Sequence, residues 1–181
     1  MAEDTLKLAM AAISDNWGPL SSELVSTCKA RLQMLARSSP KERWLAALRA
    51  ELPDTRELYR DPDHGFVLLA HTEIKGLYRP PHDHGRSWVI YTVLQGGSEM
   101  GTYGQAQDDA GNVYLVRRDS TLVKPGQVQV YLPGDIHDTR CVAGPTLLLR
   151  FTAMDLKHED LIERRVTRYA ERGGCWNSVP Q

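Results

Sequence analysis

Between Phe66 and Thr152 the sequence consists of short β-type segments separated by turn residues. The segments are rich in β-branched and aromatic residues and are bounded by Gly, Pro or Asp. Short strands at near-even spacing are typical of an antiparallel sandwich or barrel. The segments are residues 66–74, 88–94, 100–103, 112–117, 127–132, 136–141 and 146–152. They predict an all-β core without a long-period repeat.

The first 60 residues have a helical pattern instead. Apolar residues recur at helical spacing over 24–35, after a candidate cap at Ser21 or Ser22. A second helix is predicted to begin with a capping box at Ser39-Pro40-Lys41-Glu42 and to end at Pro53. We therefore expect one structural domain with a helical N-terminal arm (1–60), a barrel (61–155) and a partly helical C-terminal extension (156–181).

Composition excludes several classes of protein. The chain has 181 residues, 41% hydrophobic and 25% charged, with a formal net charge of -1. This balance gives no basic surface for nucleic acid and no apolar run of membrane length. The three cysteines, at scattered positions, argue against a disulfide framework. The N-terminus lacks a signal-peptide pattern, so we expect a cytoplasmic protein.

Three histidines form the pattern that indicates chemistry. His82 and His84 are two residues apart, so in an extended segment both imidazoles lie on one face while Asp83 points away. His137 follows a Pro-Gly turn at Pro133. Because imidazole is a common ligand of transition metals, the sequence predicts a metal site formed by His82, His84 and His137.

Over residues 64–153 these two motifs resemble those of the cupins, metalloproteins with a double-stranded β-helix (jelly-roll barrel). Most metal cupins add a Glu ligand shortly after the His-x-His pair, but Gly85–Val89 contains no carboxylate. A three-His set is similar to that of the thiol dioxygenases of the cysteine dioxygenase type. The resemblance implies Fe(II), with Zn, Ni and Mn as alternatives, and open metal positions for an anionic substrate and O2.

The resemblance stops at the metal ligands. The cysteine dioxygenases have a Ser-x-His-x-Tyr relay after the third ligand, and the corresponding positions here are Leu148, Arg150 and Thr152. Their cross-linked cysteine corresponds to Val89. The resemblance therefore does not imply cysteine as the substrate.

Several further residues are candidates for the site, each with a structural alternative. Arg150 lies in an apolar strand and could bind a substrate carboxylate if it faces the barrel interior, or it could be solvated outside. Arg56, with Arg60 as its neighbour, corresponds in position to a substrate-carboxylate Arg of the cysteine dioxygenases, or it forms a surface ion pair. Glu99 could be a base or fourth ligand, or a solvated hairpin residue.

Aromatic residues near the histidines complete the candidates. Tyr91 and Tyr103 could donate hydrogen bonds to bound oxygen, and Trp88 could form a pocket wall, whereas core packing is the alternative for all three. The remaining histidines, His64, His71 and His158, are interpreted as structural.

The leading hypothesis is a mononuclear non-haem Fe(II) dioxygenase that oxidises a small anionic substrate, first of all a thiol carboxylate, with O2. Oxidative cleavage of a diketone-like substrate is the alternative within the same chemistry. A redox-neutral metal-dependent isomerase or lyase and a non-catalytic ligand-binding cupin are alternatives from other classes. The long sheet edges also leave room for a homodimer.

Overall fold

A computed structural model describes residues 4–179, in which three helices precede nine strands. The helices are α1 (Thr5–Asp15), α2 (Ser22–Ala36) and α3 (Arg43–Glu51), and the strands are β1 (Thr55–Arg60), β2 (Val67–Glu73), β3 (Tyr78–His82), β4 (Val89–Gln107), β5 (Val113–Val123), β6 (Val128–Tyr131), β7 (Ile136–Thr152), β8 (Tyr169–Arg172) and β9 (Cys175–Ser178). A π-helical turn, His158–Ile162, lies between β7 and β8. The predicted all-β core with a helical N-terminal segment is confirmed.

Two long strands, β4 and β7, run antiparallel and connect both halves of the curled sheet. Their outer ends, Val89–Val93 and Leu148–Thr152, belong to a first half with the order β1-β2-β7-β4-β6. Their other ends belong to a second half with the order β3-β7-β4-β5-β9-β8. The pairing of β4 with β7 shifts register between Val93 and Ser98, and the sheet bends there. This topology is that of the predicted double-stranded β-helix.

Gly96 occupies the bend of β4. Its φ is +81°, and a Cβ at this position would lie 2.4 Å from Thr146 Oγ1 and 2.5 Å from the Ala143 carbonyl oxygen. Since neither the backbone angle nor the space suits a side chain, the close approach of β4 and β7 at this point requires glycine.

The three helices cover the outer face of the first half of the sheet. Alternate residues of β2, β4 and β7 point toward the helices and are fully buried, as the period of two along a strand requires. They form one core with the apolar faces of the helices. The sheet contributes Leu68, Ala70, Ile90, Leu147, Leu149 and Phe151, and the helices contribute Met10, Ile13, Leu32, Leu35, Leu45 and Leu48.

The helix starts agree with the sequence in one case only. Ser21 is the N-cap of α2, and its Oγ accepts from the Leu24 backbone N–H at 3.1 Å. The predicted capping box at Ser39 is wrong, because α3 begins at Arg43 and its N-cap, Glu42, makes no capping hydrogen bond. The Glu42 carboxylate instead accepts from the Thr5 backbone at 3.1 Å and from Trp44 Nε1 at 2.9 Å.

Some boundaries also differ from the prediction. Residues 55–60 are not helical but form strand β1, which pairs with β2. Residues 100–103 are not a separate short strand but part of β4. The C-terminal extension contains the β8–β9 hairpin, which the sequence did not predict. Between residues 4 and 179, none of the helices is long and apolar enough to cross a membrane.

Candidate metal centre

The fold brings His82, His84 and His137 together. His82 ends β3 and is the register partner of His137 on β7, while His84 lies two residues beyond β3. One ring nitrogen from each residue lies within 4.8 Å of those of the other two. His84 Nε2 and His137 Nε2 are 3.3 Å apart. Three strand-anchored imidazoles thus converge at one place in the barrel.

The imidazoles are in a state that suits metal binding. Burial lowers the pKa of all three, so the rings are neutral at pH 7. His82 Nδ1 donates to the Pro80 carbonyl oxygen at 2.8 Å, which leaves the lone pair of Nε2 available. Among residues 4–179 the cluster contains no Cys, Asp or Glu. This donor set fits a divalent transition metal that prefers imidazole, such as iron, nickel or zinc.

A buried carboxylate behind the cluster fixes the strands that carry the ligands. Asp138 accepts hydrogen bonds from Tyr78 on β3 at 2.9 Å, Tyr103 on β4 at 2.6 Å and the Gly101 N–H at 2.8 Å. Burial and the neighbouring carboxylate raise the pKa of Tyr78 to about 12, so its hydroxyl stays a donor. Asp138 therefore holds β3 and β4 against β7, directly beside His137.

His82 and His84 line a cavity of about 680 Å³, while His137 is fully buried. The floor of the cavity is the inner face of the first half of the sheet, and one wall is β3. The floor contributes His71 and Glu73 from β2, Tyr91 from β4, and Leu148 and Arg150 from β7. Arg150 pairs in register with Leu69 on one side and with Tyr91 on the other. Of the predicted residues beside the histidines, Arg150 and Tyr91 thus line the cavity.

The floor of the cavity carries the guanidinium of Arg150, which forms no ion pair within the described residues. Arg150 Nε is buried and has no hydrogen-bond partner. None of the ion pairs between residues 4–179 includes Arg150. Its guanidinium lies within hydrogen-bond reach of the Tyr91 hydroxyl. By contrast, the buried Glu73 carboxylate is already neutralised by Arg79 at 3.1 Å.

His71 also lines the cavity, although the sequence interpretation made it structural. It is 8% exposed, and its Nδ1 shares a 3.0 Å hydrogen bond with Thr55 Oγ1. Its Nε2 is buried without a partner. Burial, with the nearby Arg150 and Arg79, lowers the pKa of His71 to about 3, so the ring is neutral.

Two predicted substrate-binding residues lie elsewhere, which corrects the prediction. Arg56 is on the edge strand β1, where its guanidinium contacts Glu51 in an exposed ion pair. Its neighbour Arg60 pairs with Asp155 at 2.9 Å. Trp88 points to the helices rather than the interior, with its ring 5.3 Å from Phe151. The physical reason is alternation, since Trp88 is one residue out of phase with Val89 and Tyr91.

Glu99 and Tyr103 also lie outside the three-His cavity. Both line a smaller cavity of about 250 Å³ on the other side of the sheet. Glu99 accepts from Ser120 Oγ and from Arg117 at 3.3 Å, so its carboxylate is satisfied far from a metal-binding position. The Tyr103 hydroxyl donates its hydrogen bond to Asp138. Neither Glu99 nor Tyr103 therefore lies among the residues that line the cavity beside the histidines.

The sequence did not show that residues 155–169, here called the C-terminal strap, roof the cavity. The strap contributes Leu156, Leu161 and Val166 to the lining. Its anchors are Asp83 and Arg86, which flank His84. Asp83 and Thr167 exchange two hydrogen bonds, of 3.0 and 2.8 Å.

The second anchor, Arg86, binds Glu159 of the strap, a residue that is 2% exposed. The Glu159 side chain is ionised and accepts every bond of this contact. Its carboxylate accepts from the Arg86 backbone N–H at 3.3 Å and from Arg86 Nη2 at 2.6 Å. The Arg86 hydrogen bonds lower the pKa of Glu159, so the carboxylate is ionised at neutral pH. Since both anchors flank a predicted metal ligand, the roof and the histidine loop form one structure.

No family model matches the sequence, and no curated protein matches it. Solved structures do match. KdgF from Halomonas sp. is 18% identical, with a TM-score of 0.43, over 54% of this chain and 74% of that one. An oxalate oxidase in complex with glycolate is 21% identical, with a TM-score of 0.40, over 55% and 50%. The Cnp3 cupin domain of Schizosaccharomyces pombe is 16% identical, with a TM-score of 0.42, over 59% and 69%.

These structures are similar to this chain in fold only. The chain spans half the length of the oxalate oxidase, and in each case the matched part is little more than half of this chain. Any statement about activity therefore rests on the residues of the site.

Proposed function

We propose that the chain is a metal-dependent dioxygenase that uses Fe(II) held by His82, His84 and His137 to oxidise a small anionic substrate with O2. The observation that carries the proposal is the convergence of three neutral imidazoles beside Arg150, whose buried Nε has no hydrogen-bond partner and which lines one cavity with His82 and His84. Neutral ligands leave the positive charge of a divalent ion uncompensated, and Arg150 adds to it. The site is therefore built for an anion.

When bound, the ion supplies a Lewis-acidic centre that is open to substrate and O2 and can donate electrons. The residues of the chain orient the substrate. Arg150 binds a carboxylate through charge-assisted hydrogen bonds. Burial raises the pKa of Tyr91, so its phenol stays protonated and donates a hydrogen bond beside Arg150. The strap covers one side of the cavity with Leu156, Leu161 and Val166.

A thiol carboxylate is the first substrate class to test. Oxidation of a thiol to a sulfinate places both atoms of one O2 on sulfur and needs no external reductant. The experiment is anaerobic loading with Fe(II), followed by O2 uptake and product analysis with thiol carboxylates and with 1,3-diketones. We expect one O2 consumed per substrate oxidised, and no uptake in His82→Ala.

Arg150→Met tests the role of the guanidinium, and Arg56→Ala is its matched control outside the cavity. We expect Arg150→Met to raise KM at least tenfold, because a charge-assisted contact contributes about 1.5–3 kcal/mol. Arg56→Ala should leave KM unchanged. Substrate consumption without O2 uptake would refute the dioxygenase proposal.

One observation favours a second candidate, a redox-neutral isomerase or lyase with the ion as Lewis acid. Glu73 is a buried carboxylate, 4% exposed, on the cavity floor, and it could move a proton on a bound substrate. Anaerobic turnover of a hydroxy or keto acid, lost in Glu73→Gln, would establish this candidate. Tight ligand binding without any turnover would instead indicate a binding protein.

A further inference from the structure

The cavity is much larger than a small thiol acid requires. Its volume of about 680 Å³ lies in the middle of the range of roughly 300–1,000 Å³ that is usual for sites of drug-sized ligands. The inference drawn from this excess volume rests on the proposed function for the anionic end of the ligand. It concerns what fills the rest of the cavity.

The polar groups that lack a partner lie together on the cavity floor. Arg150 Nε and His71 Nε2 are both buried and unpartnered. The two side chains are close enough that Arg150 lowers the pKa of His71. When Thr55 donates to His71 Nδ1, Nε2 carries the proton, and a bound carboxylate can accept from both residues. Buried donors without partners are unfavourable, so this place is built for an acceptor group of a ligand.

The remaining lining mixes charged and apolar side chains, since the strap contributes Lys157, Asp160 and Arg168 beside its apolar residues. The apolar part comes from two sides. Leu148 rises from the floor and belongs to a buried apolar cluster, against which Leu156 of the strap packs. Val166 and Leu161 continue the apolar lining along the strap. Leu161 is 69% exposed and therefore presents its side chain at the open side of the cavity.

We propose that the ligand of this cavity is a carboxylic acid with an apolar body, with its head on Arg150 and His71 and its body along Leu148, Leu156 and Leu161. The C-terminal strap then determines specificity. Burying an apolar body against these leucines adds affinity with each methylene, while the head fixes the orientation.

Binding under nitrogen tests this proposal without turnover. The full-length protein is titrated calorimetrically with straight-chain acids from butanoate to octanoate and with the matching primary amides. The series of acids measures the contribution of the apolar body to affinity, and the amides measure that of the carboxylate head. We expect octanoate to bind about tenfold or more tightly than butanoate, since each buried methylene strengthens binding roughly three- to fourfold. Each acid should bind about tenfold more tightly than its amide.

Two exposed neighbours provide a matched pair of variants. Leu161 and Ile162 are both 69% exposed, but only Leu161 lines the cavity. Leu161→Asp should weaken octanoate binding at least fivefold and leave butanoate unchanged, whereas Ile162→Asp should bind both acids like the wild type. Arg150→Met should abolish the preference for acid over amide.

Affinity that does not rise with chain length, or equal effects of Leu161→Asp and Ile162→Asp, would overturn the proposal. The outcome can be distinguished from a failure of the dioxygenase proposal. Chain-length dependence without O2 uptake would leave the binding inference standing and remove the oxidative function. O2 uptake with short acids only would leave the oxidative function standing and remove the binding inference.

Discussion

The two faces of the first half of the sheet come from the same strands and have opposite properties. On the outer face, Leu68, Ile90 and Phe151 pack against the helices in a fully buried apolar core. On the inner face, one residue away along the strands, Tyr91 and Arg150 line the cavity. Because side chains alternate along strands β2, β4 and β7, the same strands supply the helix-facing core on one face and the cavity lining on the other.

The difference shows where the stability of the fold comes from. Apolar burial on the outer face stabilises the sheet, and a smaller buried cluster that includes Val89, Val93 and Leu148 adds to this on the inner face. On the inner face, unpartnered donors lower stability slightly and create a binding site. A variant of a helix-facing core residue should therefore change stability but not binding. A variant of a polar cavity residue should change binding but not stability.

Phe151→Ala should have the largest effect on stability. Phe151 is 0% exposed and contacts Trp88 and Phe66, so its truncation leaves a cavity in the core. We expect a loss of about 3–5 kcal/mol in the free energy of unfolding, measured with urea. The adjacent Arg150→Met should change it by less than about 1 kcal/mol, because it removes an unpaired charge. Equal losses would contradict the division between the faces.

Glu159→Gln should have an intermediate effect that is confined to the strap. The variant replaces a buried carboxylate that accepts several Arg86 hydrogen bonds, so we expect destabilisation of roughly 1–3 kcal/mol. Hydrogen exchange should speed up in residues 155–169 and stay unchanged in the helices. Exposed Glu163→Gln on the same segment is the control. Uniformly faster exchange would show that the strap is not a separate unit.

His71→Asn should make the free energy of unfolding depend less on pH between 7 and 4. The folded-state pKa of His71, about 3, lies below the ordinary histidine value of 6.5, so the unfolded chain binds the extra proton between these pH values. Protonation of this group therefore does not affect the free energy of unfolding above pH 6.5. As the pH falls from 6.5 toward 3, it lowers the free energy of unfolding by up to about 1.4 kcal/mol per pH unit. Urea unfolding from pH 7 to 4 should show a smaller slope in His71→Asn. An unchanged slope would contradict a buried neutral His71.

Glu99→Gln and Arg56→Ala should have the smallest effects. Both side chains form exposed ion pairs, with Arg117 and Glu51, outside the cavity. We expect changes within about 0.5 kcal/mol in unfolding free energy and no change in metal or acid affinity. Titration of both variants beside the wild type provides the measurement, and weaker metal binding in Glu99→Gln would restore that residue to the site.

Local sequence patterns predicted the strands, the convergence of the histidines and the place of Arg150 in an apolar strand. They could not predict which residues share a face across the bend. Tyr91 and Glu99 are an even number of residues apart, so alternation alone would put them on one face. Register shifts between Val93 and Ser98 reverse the phase, and Met100 rather than Glu99 points inward.

The strap was missed for a different physical reason. Residues 155–172 are rich in charge, which is typical of a solvated tail, yet Glu159 is buried because Arg86 compensates its carboxylate. Such pairing depends on tertiary contacts over 73 positions of the chain, which no local pattern contains.

We expect His82, His84 and His137 to hold one metal ion on their three imidazoles. The most direct test of this central claim is the metal stoichiometry of the full-length protein, by anaerobic titration with Fe(II) and then with Zn(II), in the wild type and in His137→Ala. We predict one ion per chain in the wild type, and no tight site in the variant. No binding in the wild type, or an unchanged stoichiometry in His137→Ala, would contradict the account.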